Sequence, residues 1–300
     1  MVMIAIRDVC PRDGLQSEAP VDPARRARLA LALAHAGVRE VEAASFVSPR
    51  AVPSMAGGGG VFEALPRDGD VDWWALVPNA RGAELAIEAG VTHVTVTISA
   101  SEGYSRKNVG RTTTEAIASL AEIADAVGDD AHLDVVVSCA FGSPFGDVAD
   151  PSATCLIAER TCDVMPTARL TLADTTGTAT PRRIAEVIAA VPEVSTDDLG
   201  LHLHDTRGTA LANALAAIEL GVRRFDTAAG GLGGSPFAPG AGGNLATEDL
   251  VMTLHDLGHE TGVDLDAVLT VSRGLPDLVG HDVPSRVHAA GGLPPFGAGA

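Results

Sequence analysis

Cations, aromatic rings and cysteines are all scarce in this chain, and each scarcity removes a class of function. Its 21 basic residues face 39 acidic ones, a formal charge of −18 at neutral pH. Such a surface repels a nucleic-acid backbone or an anionic membrane. Lys107 is the single lysine, which leaves arginine to meet any anionic small molecule. Four cysteines in 300 residues, none at CxxC spacing, exclude a disulfide scaffold, a zinc ribbon and a thioredoxin-like motif; a reduced, cytoplasmic setting is expected. No apolar run approaches the ~20 residues of a membrane span. The opening MVMIAIRDVC meets charge at Arg7 without the length or cleavage pattern of a signal peptide.

What is plentiful is small apolar residue: 46% of the chain is hydrophobic and only 20% charged, the balance of a globular protein. Eight short runs rich in valine, isoleucine and threonine read as strands: MIAI, VREVEAA, VDWWALVP, HVTVTIS, HLDVVVSCA, ARLTLAD, LGLHLHD and RRFDTAAG. Segments of helical spacing lie between them, among them DPARRARLALALAHAG, TTTEAIASLAEIADAVG and TPRRIAEVIAAV, several closed by glycine. Strand and helix alternate throughout, which predicts a parallel sheet, and eight units predict an α/β fold of the (β/α)8 TIM-barrel type with extra C-terminal helices. One catalytic domain over residues 1–290 is expected, with one or two helices after TEDLVMTLHDLG and a loose tail over 291–300.

In a closed barrel, chemistry gathers where strands end, at the carboxyl face. His202 and His204 in LGLHLHDT are two apart on a strand and so point to one side. Two imidazoles together call for a shared partner; a metal is the simplest, a pair of packed core histidines the alternative. Arg12 and Asp13 stand at the end of the first strand, beside the eighth and near the seventh in a barrel. There Asp13 becomes a third ligand, unless Pro-Arg-Asp-Gly is merely a turn. Asn244, at the far end of the glycine-rich GLGGSPFAPGAGGN, offers an amide oxygen, or else caps the helix ahead of LATEDL. Two imidazoles, a carboxylate and an amide describe a site for Mg²⁺ or Mn²⁺ rather than a thiolate zinc site. Cys10 reads as a buried strand cysteine, and Trp73 and Trp74 as packing.

Seven segments, RDGLQSE, EAASFVSPRAVPSMA, SEGYSRKN, VSCAFGSPFGD, LADTTG, LHLHDTRGTALANALAAIELGV and GLGGSPFAPGAGGNLATEDLV, fall in order over most of the chain. Together they resemble the 3-hydroxy-3-methylglutaryl-CoA lyases, within the wider group of metal-dependent lyases and Claisen-type synthases on TIM barrels. The resemblance implies that Asp13, His202, His204 and Asn244 bind the divalent cation and that Arg12 stabilises an enolate oxygen. It further implies that Glu42 and Asp174 belong to the polar shell around the reacting group, with His202 among the catalytic residues. The implied reaction is a retro-Claisen cleavage of a CoA thioester to acetoacetate and acetyl-CoA. Arg106, Lys107 and Asn108 then meet the CoA portion, or form only a solvated basic turn. A homodimer is expected by analogy alone.

One position departs from the pattern. The resembling lyases carry a cysteine in the glycine loop where this chain has Ser235, and often another where it has Ser143. A thiol, with pKa near 8.5, shares a proton near neutrality; a serine hydroxyl does not without a neighbouring base. Three readings follow: proton transfer passes to His202 or to metal-bound water, the substrate or direction of reaction differs, or the chain binds without turnover.

Overall fold

The computed structural model describes residues 2–129, 131–148, 150–191, 198–234 and 242–293. Eight parallel strands close into a barrel in sequence order: β1 (Ala5–Asp8), β2 (Glu40–Ser45), β3 (Asp72–Val77), β4 (His93–Ser99), β5 (His132–Ser138), β6 (Arg169–Asp174), β7 (Leu199–Leu203) and β8 (Arg224–Thr227). β8 returns to pair with β1, Ala5 against Arg224 through Asp8 against Thr227. Each strand falls within the run that predicts it, or within two residues of its end, because runs of β-branched residues buried on both faces have few other ways to be satisfied.

Around the barrel run α1 (Pro23–His35), α2 (Gly58–Glu63), α3 (Ala80–Glu88), α4 (Glu102–Val109), α5 (Thr113–Val127), α6 (Pro151–Val164), α7 (Pro181–Ala190) and α8 (Ala210–Glu219). Their starts are written into the sequence. Asp22 accepts from the Ala24 amide, Asn79 from Gly82, and Thr112 and Glu115 form a reciprocal capping box. The inner faces of these helices meet the outer faces of the strands in one apolar layer that includes Leu33, Val41, Val94, Leu120, Ile184 and Leu201. Each such side chain contributes roughly 1.5–3 kcal/mol when fully buried.

After the barrel come α9 (Thr247–Asp256), α10 (Leu265–Arg273), α11 (Leu275–Val279) and α12 (Arg286–Ala290), so three described helices follow TEDLVMTLHDLG where one or two were expected. Short helices of one or two turns carry too little periodicity to be read. Residues 294–300 of the expected loose tail lie outside the described residues. Among the described residues no helix is long and apolar enough to cross a membrane.

The barrel interior holds an ionic layer near the strands' amino-terminal ends. Arg7 grips Asp226 with Nε and a terminal nitrogen at 2.8 and 3.0 Å and lies 2.8 Å from Asp134 on β5. Asp134 also meets Arg224 at 3.1 Å and accepts from Thr171. β1 and β5 are not neighbours in the sheet, so this contact crosses the lumen. The guanidinium of Arg7 lies 5.0 Å from the centre of the buried Trp74 ring, and that of Arg169 5.4 Å from it.

Candidate active site

β1 ends at Asp8, earlier than the sequence suggests, and Arg12 and Asp13 ride on a wide helical turn, Cys10–Gly14. Amides of Arg12, Asp13 and Gly14 all bond to the Val9 carbonyl, which curls the chain back over the barrel mouth. Cys10 is buried as expected, but in this turn rather than in a strand. Arg12 is thereby aimed at the neighbouring strand. Its Nε lies 2.5 Å from Glu42 Oε2 on β2, and a terminal nitrogen lies 2.7 Å from Asp13 Oδ1. Burial opposes charge on this guanidinium, yet Glu42 and Asp13 outweigh it and raise its pKa further.

His202 and His204 bring their rings together at the end of β7, Nε2 to Nε2 at 3.1 Å. Asp13 Oδ2 stands 4.0 Å from His202 Nε2, and ligand atoms of Asp13, His202 and His204 all lie within 4.8 Å of one another. Asn244 completes the group. The chain returning from the glycine loop runs antiparallel to the end of β7, with Asp205 donating to Gly243 and Leu245 to Leu203, so Asn244 pairs with His204. Its Nδ2 donates to Asp13 Oδ2 at 2.8 Å and to the Leu232 carbonyl, while Oδ1 is buried with no hydrogen-bond partner among the described residues. The cap before α9 is Ala246, which removes the helix-cap reading of Asn244.

Two features show that these residues fit a cation. The orphaned Asn244 oxygen and the two facing imidazole nitrogens are lone pairs in want of a positive partner. Gly233, at φ +111, lies so close that a Cβ would strike the Asn244 amide and approach Asp13 Oδ2 to 3.2 Å, so the backbone makes room for the cluster. Two of the three titratable groups have the charge state a cation needs, whereas at His202 the bond to Asp226 and the charge of Asp13 outweigh burial and raise the pKa. Burial disfavours charge on Asp13, but Arg12, the imidazoles and the Asn244 amide hold its carboxyl down to about 2. Burial beside His202 pushes His204 down to about 4, leaving it neutral and able to ligate.

Comparison with known proteins decides the kinship. Residues 3–274 match the HMGL-like family model. The hydroxymethylglutaryl-CoA lyase of Pseudomonas mevalonii is 42% identical, with 97% of each chain covered. The (R)-citramalyl-CoA lyase of Chloroflexus aurantiacus is 41% identical over 98% of this chain and 97% of that one. An HMG-CoA lyase from Acinetobacter baumannii, solved in complex with coenzyme A and 3-methylmalate, superposes with a TM-score of 0.93 at 39% identity over 98% of both chains.

This chain belongs to the HMGL-like family. It is an enzyme, a carbon–carbon lyase on a TIM barrel.

Other residues singled out in the sequence of this HMGL-like lyase lie on elements other than those that carry the cluster. Asp174 ends β6, and its carboxylate accepts from the Thr178 and Ala179 amides, shaping the turn there; burial raises its pKa. Arg106, Lys107 and Asn108 lie on α4, a helix where a turn was the alternative. Arg106 pairs with Glu102 at 2.8 Å, and Lys107 Nζ is 5.9 Å from the Phe145 ring. Ser143 donates to Ser101, which donates to Asp147 at 2.8 Å, latching the loop after β5 to the start of α4. Ser235 lies outside the described residues.

Asp226 is not singled out by reading along the chain. It looks like one polar residue in a strand, yet the β7 to β8 register sets it directly beside His202. No local signal marks it, since Phe225 and Thr227 flank it in an ordinary strand run.

Proposed function

We propose that this lyase cleaves a 3-hydroxy-3-methylglutaryl-CoA-like thioester by a retro-Claisen reaction, releasing acetyl-CoA and a 3-oxo acid such as acetoacetate. The observation that carries the reading is the convergence of Asp13, His202, His204 and Asn244 beside a buried, doubly paired Arg12 at the barrel mouth. Residues 1–290 act as one catalytic unit, and the cytoplasmic setting is consistent with four free cysteines.

Asp13, His202, His204 and Asn244 would hold a divalent cation, Mg²⁺ or Mn²⁺. When bound, such an ion acidifies and orients the substrate's tertiary hydroxyl. Arg12 supplies a permanent positive charge where the thioester enolate gathers negative charge as the carbon–carbon bond breaks. Glu42 holds that guanidinium in place from behind, so the charge is aimed before substrate arrives. The hydroxyl proton needs a base and the enolate carbon needs a proton back. With Ser235 in the loop instead of a thiol, that traffic falls to His202 or to water. Asp174 is committed to its turn and acts by shaping the wall of the site. Arg106, Lys107 and Asn108 meet the CoA portion, guanidinium and ammonium against phosphate.

A second reading is favoured by the 41% identity to a full-length citramalyl-CoA lyase. That substrate is one methylene shorter between the tertiary alcohol and the free carboxylate, and its cleavage gives pyruvate with acetyl-CoA. Incubating the metal-supplemented protein with each thioester, before and after chelation, separates the two. Metal-dependent acetoacetate release supports the first reading and pyruvate release the second; cleavage of neither contradicts both. Replacing Ser235→Cys should raise the rate if the missing thiol alone limits an intact lyase.

A further inference from the structure

The row of side chains behind His202 is more ordered than a buried ion pair requires. In parallel register, Arg7 of β1 lies beside Asp226 of β8, and Asp226 beside His202 of β7. Neighbouring positions of a parallel pair face the same way, so all three point into the lumen. His202 Nδ1 is 3.2 Å from Asp226 Oδ2, while its Nε2 faces His204 at 3.1 Å and Asp13 at 4.0 Å.

An ionised carboxylate only accepts hydrogen bonds, so the hydrogen of a neutral His202 ring sits on Nδ1. The lone pair is then on Nε2, toward Asp13. Asp226 in turn has little freedom, because Arg7 holds both its oxygens in a two-pronged grip. Arg7 is itself pinned by Asp134 and packed against Trp74. Position is therefore passed from the buried ion pairs inside the barrel to one nitrogen at its mouth.

We propose that Asp226, locked by Arg7, is a positioning residue that fixes the tautomer and ring orientation of His202 and so prepares it to ligate a divalent cation. This inference rests on the metal-site reading above. His204 has a different support, the Gly242 carbonyl 3.2 Å from its Nδ1, so each imidazole is oriented by a partner of its own. An acceptor behind each Nδ1 leaves both Nε2 atoms directed at the same space.

The test uses the full chain and two variants, Asp226→Ala and the double variant Arg7→Met with Asp226→Ala. The double variant removes both charges together, so that Arg7 and Arg224 are not left to share Asp134 alone if the single change fails to fold. Calorimetric titration with MnCl₂ reads cation affinity, and ¹⁵N spectra of the metal-free, histidine-labelled protein near pH 9, where an imidazole is neutral, read the tautomer.

The expected result is about a 10- to 100-fold loss of Mn²⁺ affinity in both variants. The His202 signal should pass from Nδ1-protonated in the wild type to a mixture of tautomers. Folded variants that bind Mn²⁺ as tightly as wild type, with the His202 tautomer unchanged, would overturn the proposal and leave the metal site standing. A wild-type protein that binds no Mn²⁺ overturns the metal reading and this inference with it.

Discussion

Two layers of charge lie inside the same barrel, and the one nearer the strands' amino-terminal ends is closed by ion pairs. There Asp134 is met by Arg7, Arg224 and Thr171, and Arg7 is shared between Asp134 and Asp226. At the carboxyl-terminal end the accounts of hydrogen bonding do not balance: Glu42 Oε1 and Asn244 Oδ1 are buried without hydrogen-bond partners among the described residues. Two imidazole nitrogens also face each other there at 3.1 Å. A layer closed by its own ion pairs is scaffold, whereas one with buried acceptor lone pairs left over is shaped for something it does not itself contain. His202 and Asp226 are the joint between the two layers.

The largest effect should come from breaking the closed layer. Asp134→Ala leaves Asp226 as the one carboxylate for Arg7 and takes the carboxylate from Arg224, and chemical denaturation should show a loss of about 3–5 kcal/mol. The same change should leave Mn²⁺ affinity less affected than Asp226→Ala does, because Asp226 keeps its grip on both Arg7 and His202. A reversed order of affinities would mean that the two layers are not separable in the way described.

A smaller effect is expected from pH, through Asp8. This carboxylate is fully buried between the first turn and the start of α9, where it accepts from the Cys10 and Ala229 amides and the Thr247 hydroxyl. Burial, only partly offset by those bonds, pushes it up to about 7. A carboxyl raised in the folded state binds more protons folded than unfolded between its two pKa values. Its contribution to stability is therefore fully present below the unfolded pKa and lost as pH rises through the folded one. Between about pH 5 and pH 8 the loss should be on the order of 2 kcal/mol. Denaturation midpoints of wild type and Asp8→Asn at the two pH values measure it, and parallel profiles for the two proteins would refute it.

Comparable in stability, but decisive for the open layer, is Gly233→Ala. A side chain at φ +111 costs about 1–3 kcal/mol, while its Cβ intrudes on Asn244 and Asp13. The expected outcome is a protein that melts a few degrees lower and has lost most of its Mn²⁺ affinity in calorimetry. Wild-type affinity in a folded variant would show that the cluster tolerates a shift of Asn244.

Legibility in the sequence followed the same division. All eight strands and the larger helices announce themselves through apolar runs, caps and closing glycines, because those signals are local. Arg12, Asp13, His202, His204 and Asn244 were also readable, since a His-x-His strand and polar residues at strand ends stand out against so apolar a chain. The helical turn carrying Arg12 and Asp13 was not readable: Pro-Arg-Asp-Gly is compatible with several turn geometries, and the choice is made by three amides converging on the Val9 carbonyl. Asp226 was invisible for a different reason. Its importance lies in register, Arg7 on one side and His202 on the other, and register exists only once the barrel has closed. The short α2, opening on three glycines, defeats propensity because packing against α1 and β2 overrides it.

The central claim is that four side chains distant in sequence hold one divalent cation. Anomalous X-ray scattering at the manganese edge, from crystals grown with Mn²⁺, tests it most directly. The expected result is a single strong peak coordinated by Asp13, His202, His204 and Asn244. A peak that lies elsewhere, or none at that cluster in crystals that hold Mn²⁺ at other sites, would contradict it.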